Sequence, residues 1–475
     1  MAITTQPANA VVCVGSNSSF TVAGSGVGII YQWQVSTDGG TSFTNVTNGG
    51  VYSGATAATL TITGATFSLN NFRYRSQLSN ATCTTPGVSN AGILTVNTLP
   101  AISTQPTGTT ICVGGSTSYT STATGTAVVY QWQVSIDGGT TFSNLSNAGV
   151  YSGVTTATLL ITGATAAMNN YRYRSVATGI CAPAATSTAA TLTVINPVSI
   201  TTQPAGSVIC SGSNTSFTVA GSSTETIVYQ WQVSTDGGTT YSNISNGGVY
   251  TGATTVTLTI TGAVTGLNNN RYRSQLSNAT CTAPTASNAA ILNVRQLPTV
   301  TLVASPLTSL LPGQTTTLTA TPSATTGGVL TTTWLYNGAA PVPAITGNSY
   351  VVNVERTGTY QMLIQEVFTG PALVCSNQSA IVSISAAVSS KLFIFPSPND
   401  GRFTVSYYNN GGSSTKRKIA IFDSKGANVY NAEFAIAGPY TLLNINMERG
   451  SRGIYYVVVG DATGIKLADG KVHVR

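Results

Sequence analysis

Asp38, Asp137 and Asp236 are the carboxylates that recur in register along this chain. They stand in YQWQVSTDGGTSF at 31–43, YQWQVSIDGGTTF at 130–142 and YQWQVSTDGGTTY at 229–241. A carboxylate at the tip of a hairpin could serve as a general acid, a general base or a nucleophile. Glycoside hydrolysis needs two such groups, about 5 Å or about 6.5–9.5 Å apart. Each repeat carries the one Asp and almost no other acid, Glu225 being the exception. One carboxylate cannot fill both roles. In a Gly-Gly turn its oxygens can instead accept backbone N–H bonds, and the glycines supply positive φ. The three Asp are therefore read as structural hairpin turns, braced by Ser36 and Phe43 in the first copy.

Other catalytic inventories fail as well. His473 is the single His of the chain and stands third from its C-terminus. No Ser-His-Asp or Cys-His set can be assembled around it. No Asp-x-Asp-x-Asp calcium loop and no zinc-spaced Cys/His cluster occurs. Met168, Met362 and the aromatic positions fall in strand-like segments and read as core or sheet surface. The sequence predicts a protein that is not an enzyme and needs no cofactor or metal. The string Ser-x-Asp-x-Gly-x-Thr/Ser-aromatic does resemble the Asp-box of sialidases and other glycan-processing proteins. In enzymes with that motif the boxes lie away from the active centre, so the resemblance does not imply catalysis.

A second set of residues could bind rather than catalyse. Arg-Tyr-Arg recurs at 73–75, 172–174 and 271–273. With the Tyr facing inward, both Arg face outward, beside two Gln of the neighbouring strand. Each repeat then presents one face, made of Gln32, Gln34, Arg73 and Arg75 in the first copy. The second copy has Gln131, Gln133, Arg172 and Arg174, and the third Gln230, Gln232, Arg271 and Arg273. Such planar donors could take sulfated, carboxylated or neutral glycans. The alternative is a solvated face with its Arg stacked on neighbours.

These residues need a frame. A chain of 475 residues exceeds one domain. Charged residues are 7% and hydrophobic residues 42%, so the chain is weakly charged yet able to fill cores. Short runs of Val, Ile, Thr, Tyr and Leu between Gly/Asn/Asp turns predict an all-β protein. Trp33, Trp132 and Trp231 mark a repeat of 99 residues with about seven alternating segments. That length and pattern fit an immunoglobulin-like sandwich, and ATLTITGATFSLNNFRYRSQL resembles its E–F corner, with Tyr74 at the tyrosine-corner position. Ser76 stands where an antibody domain has its second Cys. The predicted domains are repeats 1–98, 99–197 and 198–296, a diverged sandwich 297–388 with Trp334 and Tyr360, and a last sandwich 389–475. Short Pro-bearing linkers predict five sandwiches in a linear array.

Cysteines recur once early and once late per repeat. The equal spacing predicts intradomain disulfides Cys13–Cys83, Cys112–Cys181 and Cys210–Cys281, with Cys375 left as a free thiol. Disulfides point to an oxidising compartment outside the cytoplasm. No apolar run is long enough for a membrane helix. The formal charge of +7 is a small excess sited mostly after Lys391, which argues against a nucleic-acid partner.

The last segment reads differently. It opens on KLFIFPSPNDGRF, continues through KIAIFDSKGANVY and closes on ERGSRGIYYVVVGDATGIKLADGKVHVR. The motif residues are Pro396, Pro398 and Gly401, then Asp423 and Gly426, then Gly453 and Tyr455. This order is similar to the C-terminal sorting domain of the type IX secretion system of Bacteroidetes, with Ser397 where that family usually has Asn. The resemblance implies a seven-strand sandwich and delivery by the type IX translocon to the cell surface or medium. It also implies a sortase-like peptidase that removes the segment. The first three repeats resemble the immunoglobulin-like repeats of large surface proteins of the same bacteria. Together these readings predict an exported structural or adhesive protein. A self-assembling filament subunit and a glycan-binding module on the Arg/Gln faces are the alternatives.

Overall fold

The computed structural model describes all residues except 83–84, 326, 342, 371, 411–414 and 448–450. The chain forms two compact units, Met1–Gln203 with Val219–Gln230 and Ser274–Ser287, and Pro204–Thr218 with Trp231–Arg273 and Asn288–Arg475.

Each repeat is a two-sheet sandwich. In the first, one sheet runs Ala10–Cys13, Gly92–Asn97, Arg73–Ser79, Ile30–Ser36, Thr44–Asn45, and the other Ser18–Thr21, Thr59–Ile62, Tyr52–Ser53. The first strand of the larger sheet pairs parallel with the last, and the other pairs are antiparallel. This order is immunoglobulin-like, and it recurs in the second and third repeats. Alternation drives it. In Arg73–Ser79 the residues Tyr74, Ser76 and Leu78 are buried between half-buried neighbours. Trp33 has no exposed surface, and its indole N–H donates to Ala57 O at 2.9 Å. Phe20 stacks on Tyr74 at 4.9 Å.

Tyr74 does not behave as a tyrosine corner. Its hydroxyl meets that of Tyr52 at 3.0 Å, and Tyr173 and Tyr272 pair likewise with Tyr151 and Tyr250. In the fourth sandwich Tyr360 does bond the upstream backbone, donating to Arg356 O at 2.5 Å. That sandwich places Thr299–Ser305, Thr315–Ser323 and Ser349–Asn353 against Val329–Tyr336, Gly358–Thr369 and Val382–Ala386. Trp334 fills its core. Among its described residues the C-terminal segment has seven strands, Phe393–Phe395, Arg402–Ser406 and Leu443–Asn446 facing Asn428–Ile436, Thr415–Phe422, Gly453–Gly460 and Lys466–Val474.

The disulfides overturn the intradomain pairing. The bonds are Cys13–Cys181, Cys112–Cys281 and Cys210–Cys375, with sequence separations of 168, 169 and 165. Each joins a sandwich to the next one along the chain. Cys375 is therefore bonded rather than free, and Cys83 lies outside the described residues.

Strand polarity gives the reason. Cys112 pairs in register with Ile195, the last residue of the final strand of its repeat, at the pole where the chain leaves. Cys181 follows Thr178, the end of the strand Arg172–Thr178, which runs antiparallel to that final strand. The two cysteines of one repeat thus sit at opposite poles, roughly 30 Å apart at strand rise. A disulfide spans about 4.4–6.8 Å between Cα atoms. The exit pole of one repeat instead meets the late loop of its successor. Cys181 Sγ lies 3.6 Å from Asn97 O, and Cys281 Sγ 3.3 Å from Ile195 O.

Two outcomes test this frame. Chymotryptic digestion without reduction should recover peptides linking Cys13 to Cys181 and Cys112 to Cys281, and a Cys112–Cys181 peptide would refute the pairing. Trp33→Ala should cost the first repeat about 3–5 kcal/mol, read as a lower-melting transition in calorimetry.

Candidate functional site

Four groups of residues carry the functional argument: the Asp turns, the Arg/Gln faces, the stapled junctions and the C-terminal segment.

In the turn, Asp38 works as a structural hub. Its Oδ1 accepts from Ser36 Oγ at 2.7 Å and Thr41 N at 2.9 Å, and its Oδ2 from Ser42 N at 2.9 Å and Ser42 Oγ at 2.5 Å. Ser36 Oγ in turn accepts from Gly40 N at 2.8 Å. Gly39 and Gly40 take φ of 77° and 96°, which glycine adopts freely. Asp137 and Asp236 repeat the same contacts. The Ser42 hydroxyl and N–H, then Ser36, hold the Asp38 carboxyl well below the usual carboxylate range. Thr141 and Ser135 do this for Asp137, and Thr240 and Ser234 for Asp236. A carboxylate so saturated with donors is held in its ionised, hydrogen-bonded state.

The Arg/Gln face is a laced surface. Arg75 lies over the Phe43 ring at 3.8 Å, and its Nε donates to Gln34 Oε1 at 2.9 Å. Gln34 Nε2 donates onward to Asn45 Oδ1 at 2.9 Å. Arg174 repeats this with Phe142, Gln133 and Asn144, and Arg273 with Tyr241, Gln232 and Asn243. Gln32 and Gln131 send their amides to main-chain carbonyls at Val46 and Leu145. Arg73, Arg172 and Arg271 lie along Gly40, Gly139 and Gly238 of the Asp turns, within 3.3 Å of where a Cβ would stand. The expectation of four open donors per repeat is thus corrected at Gln34 and Gln232, each only 7% exposed beneath the stacked Arg. Phe43 was read as a brace for the hairpin alone; its stacking on Arg75 was legible only once the two strands were aligned.

At each junction the staple is flanked by polar contacts. Thr98 N donates to Thr126 Oγ1 at 2.9 Å across the first junction. Asn278 Nδ2 donates to Asn196 O at 3.2 Å across the second; at the third, Cys210 Sγ lies 3.5 Å from Val374 O, and Asn377 Nδ2 donates to Pro298 O at 3.0 Å within the fourth sandwich.

In the C-terminal segment the motif residues shape turns and hold the last strand. Asn399, between Pro398 and Gly401, accepts from Gly401 N at 2.8 Å and donates through its own N–H to His473 O at 2.9 Å. Pro396 O accepts from Asn399 Nδ2 at 2.9 Å. Gly401 has φ of 93°, and a Cβ there would stand 2.9 Å from Met447 O. Asp423 accepts from Lys425 N and Ala427 N at 2.8 and 2.9 Å, around Gly426 at φ of 84°. Tyr455 donates to Ser451 O at 2.6 Å, and Gly453 pairs with Val474. The segment also packs on its predecessor. Tyr440 is buried in the core cluster of the fourth sandwich and donates to Ala387 O at 2.8 Å, with Phe393 and Tyr408 beside it.

Two family matches fall on this geometry. Residues 393–469 match the family described as secretion system C-terminal sorting domain. This segment is a sorting domain. Residues 2–98 and 199–296 match DUF8696, a domain of unknown function. No curated protein matches the chain. Among solved structures, the I-band fragment of titin is 15% identical, covers 62% of this chain and 98% of its own, and has a TM-score of 0.39. Domains 3–5 of Drosophila OTK are 16% identical over 62% of this chain and 97% of that one, with a TM-score of 0.29. The N-terminal four Ig domains of a Dscam1 isoform are 14% identical over 81% of this chain and 99% of that one, with a TM-score of 0.26. The immunoglobulin-like assignment rests on the strand order given above.

The sorting domain makes the protein a cargo of the type IX system, exported to the cell surface or the extracellular space. Disulfides agree with that destination. Among the described residues, no helix is long and apolar enough to cross a membrane.

The Asp turns give a pH test with a definite sign. Their folded carboxyls titrate below the unfolded value of about 3.9, so their contribution is complete above that value and lost as pH falls through the lower, folded one. The carboxyl carbon resonances of the three Asp should stay at their ionised shifts as pH drops from about 5 to about 3. A titration midpoint near 4 would refute the hub.

Proposed function

We propose that this is a non-enzymatic structural or adhesive protein of the outer cell surface, whose repeats act as a covalently locked stalk. The proposal divides the chain into sandwiches 1–98, 99–197, 198–296 and 297–388, and a sorting domain 389–475. One observation carries it: among the described residues, every disulfide joins a sandwich to the next. Interfaces between domains of one chain are ordinarily small and permit relative motion. A covalent bond at each of the three junctions among the first four sandwiches opposes that motion where a stalk most needs stiffness. An enzyme built on these sandwiches would need converging acids and bases, whereas their recurring carboxylates are tied up in turns.

A second reading is favoured by a separate observation. Tyr440, Phe393 and Tyr408 of the sorting domain pack into the core cluster of the fourth sandwich. A tail meant only for removal by a sortase-like peptidase has no need of that burial, and a filament subunit that keeps its last domain as a joint does. The Arg/Gln faces remain a proposed glycan surface, with Arg75, Arg174 and Arg273 pre-oriented by their aromatic partners.

Electron microscopy with intact mass on the exported protein separates these readings. The stalk predicts single molecules whose repeat junctions gain bending freedom only after reduction. Filaments that contain residues 391–475 would transfer the assignment to a polymer. Junctions equally bent before and after reduction would sink the locked stalk.

A further inference from the structure

The third junction differs from the other two in chemistry. The residue in register with the staple cysteine is Asn97 in the first repeat, Ile195 in the second and Arg295 in the third. Arg295 is also the one Arg of the three repeats outside the Arg-Tyr-Arg triplets. Its guanidinium lies over Phe368 at 5.1 Å, and Phe368 packs with Cys210 and Cys375 themselves. The Arg295 Nε is sealed from solvent and has no hydrogen-bond partner. The sealed Nε is out of a ligand's reach, but the two Nη groups are not sealed and have no partner among the described residues, so the half-buried guanidinium is open to an acceptor there.

Arg295 borders a cavity of about 640 Å³, whose other polar walls are Thr265, Asn268, Asn269, Asn293, Gln296 and Thr325. The volume falls in the range of small-ligand sites. Its walls come from two sandwiches. The third repeat supplies the turn at Thr265–Leu267 and the end of the strand Ala290–Arg295, and the fourth supplies Thr325. Thr325 is fixed from behind by Glu366, a fully buried carboxylate that accepts from Thr325 Oγ1 at 2.6 Å, Thr325 N at 3.1 Å and Gly328 N at 3.2 Å. Glu366 pairs in register with Cys375, so the staple and the wall share one strand pair. No carboxylate lines the cavity, and no ion pair engages Arg295 among the described residues.

We propose that this cavity binds an acidic saccharide of up to three sugar units, bearing a carboxylate or sulfate ester. The Arg295 guanidinium pairs with the anion, as planar guanidinium donors do. The amides and hydroxyls around it match the ring hydroxyls, which both donate and accept. The Cys210–Cys375 bond holds the two walls together, so the site is formed before the ligand arrives. This site is distinct from the Arg/Gln sheet faces and does not depend on the stalk reading.

Calorimetric titration of the full chain with trigalacturonic acid tests it, alongside maltotriose and sodium sulfate. The acidic trisaccharide should bind measurably and maltotriose should not. Arg295→Gln should weaken binding by about tenfold or more, with Arg295→Lys in between. Reduction of the disulfides should weaken it as well, while the Arg295 variants keep the wild-type melting profile. Three results would overturn the proposal: no binding of the acidic trisaccharide, affinity unchanged in Arg295→Gln, or a loss that follows Arg75→Gln instead. Sulfate binding as tightly as the trisaccharide would overturn the saccharide assignment.

Discussion

The bond between the exit pole of one sandwich and the late loop of the next is the constraint on which the rest of this structure depends. It exists because the first strand of the larger sheet pairs parallel with the last one. That pairing carries Cys13, Cys112 and Cys210 to the end of each repeat where the chain departs. The late loop sits at the opposite pole, so the partner must come from the following sandwich. Weakly charged repeats have few ion pairs to hold such a joint, and the described residues show salt bridges only in the C-terminal domain. The disulfides and a few amide contacts supply the connection instead.

The sorting domain follows another logic. Its motif residues form turns and hold the terminal strand, as Asn399 does through the carbonyl of His473. They are structural within the fold. The burial of Tyr440 in the preceding sandwich docks this domain on its neighbour.

Much of this was legible in the sequence, for physical reasons that vary by element. Alternation in RYRSQLS placed Tyr74 inside because the strand period is two. The Asp turn was legible because its contacts span at most four residues. The disulfide pairing was misread because equal spacing fits bonding within a repeat and between successive repeats alike. Strand polarity decides between them, and an immunoglobulin-like order already implied that polarity. Gln34 was placed outward correctly by alternation, yet it is covered by Arg75 from the neighbouring strand. Periodicity along one strand cannot see a side chain arriving from another. The Arg295 cavity has no local signature at all, since its walls are drawn from segments as far apart as Thr265 and Thr325.

The staples also overlap along the chain, and this has a mechanical meaning. Tension entering at Cys13 crosses directly to Cys181, follows the backbone to Cys210, and crosses again to Cys375. Only the 29 residue steps between Cys181 and Cys210 bear load on that route. At about 3.5 Å per residue they extend to roughly 100 Å at most. The sandwiches outside this segment hang as closed covalent loops, shielded from the pull. A chain wired in this way can lengthen by no more than that segment allows, even if a repeat melts.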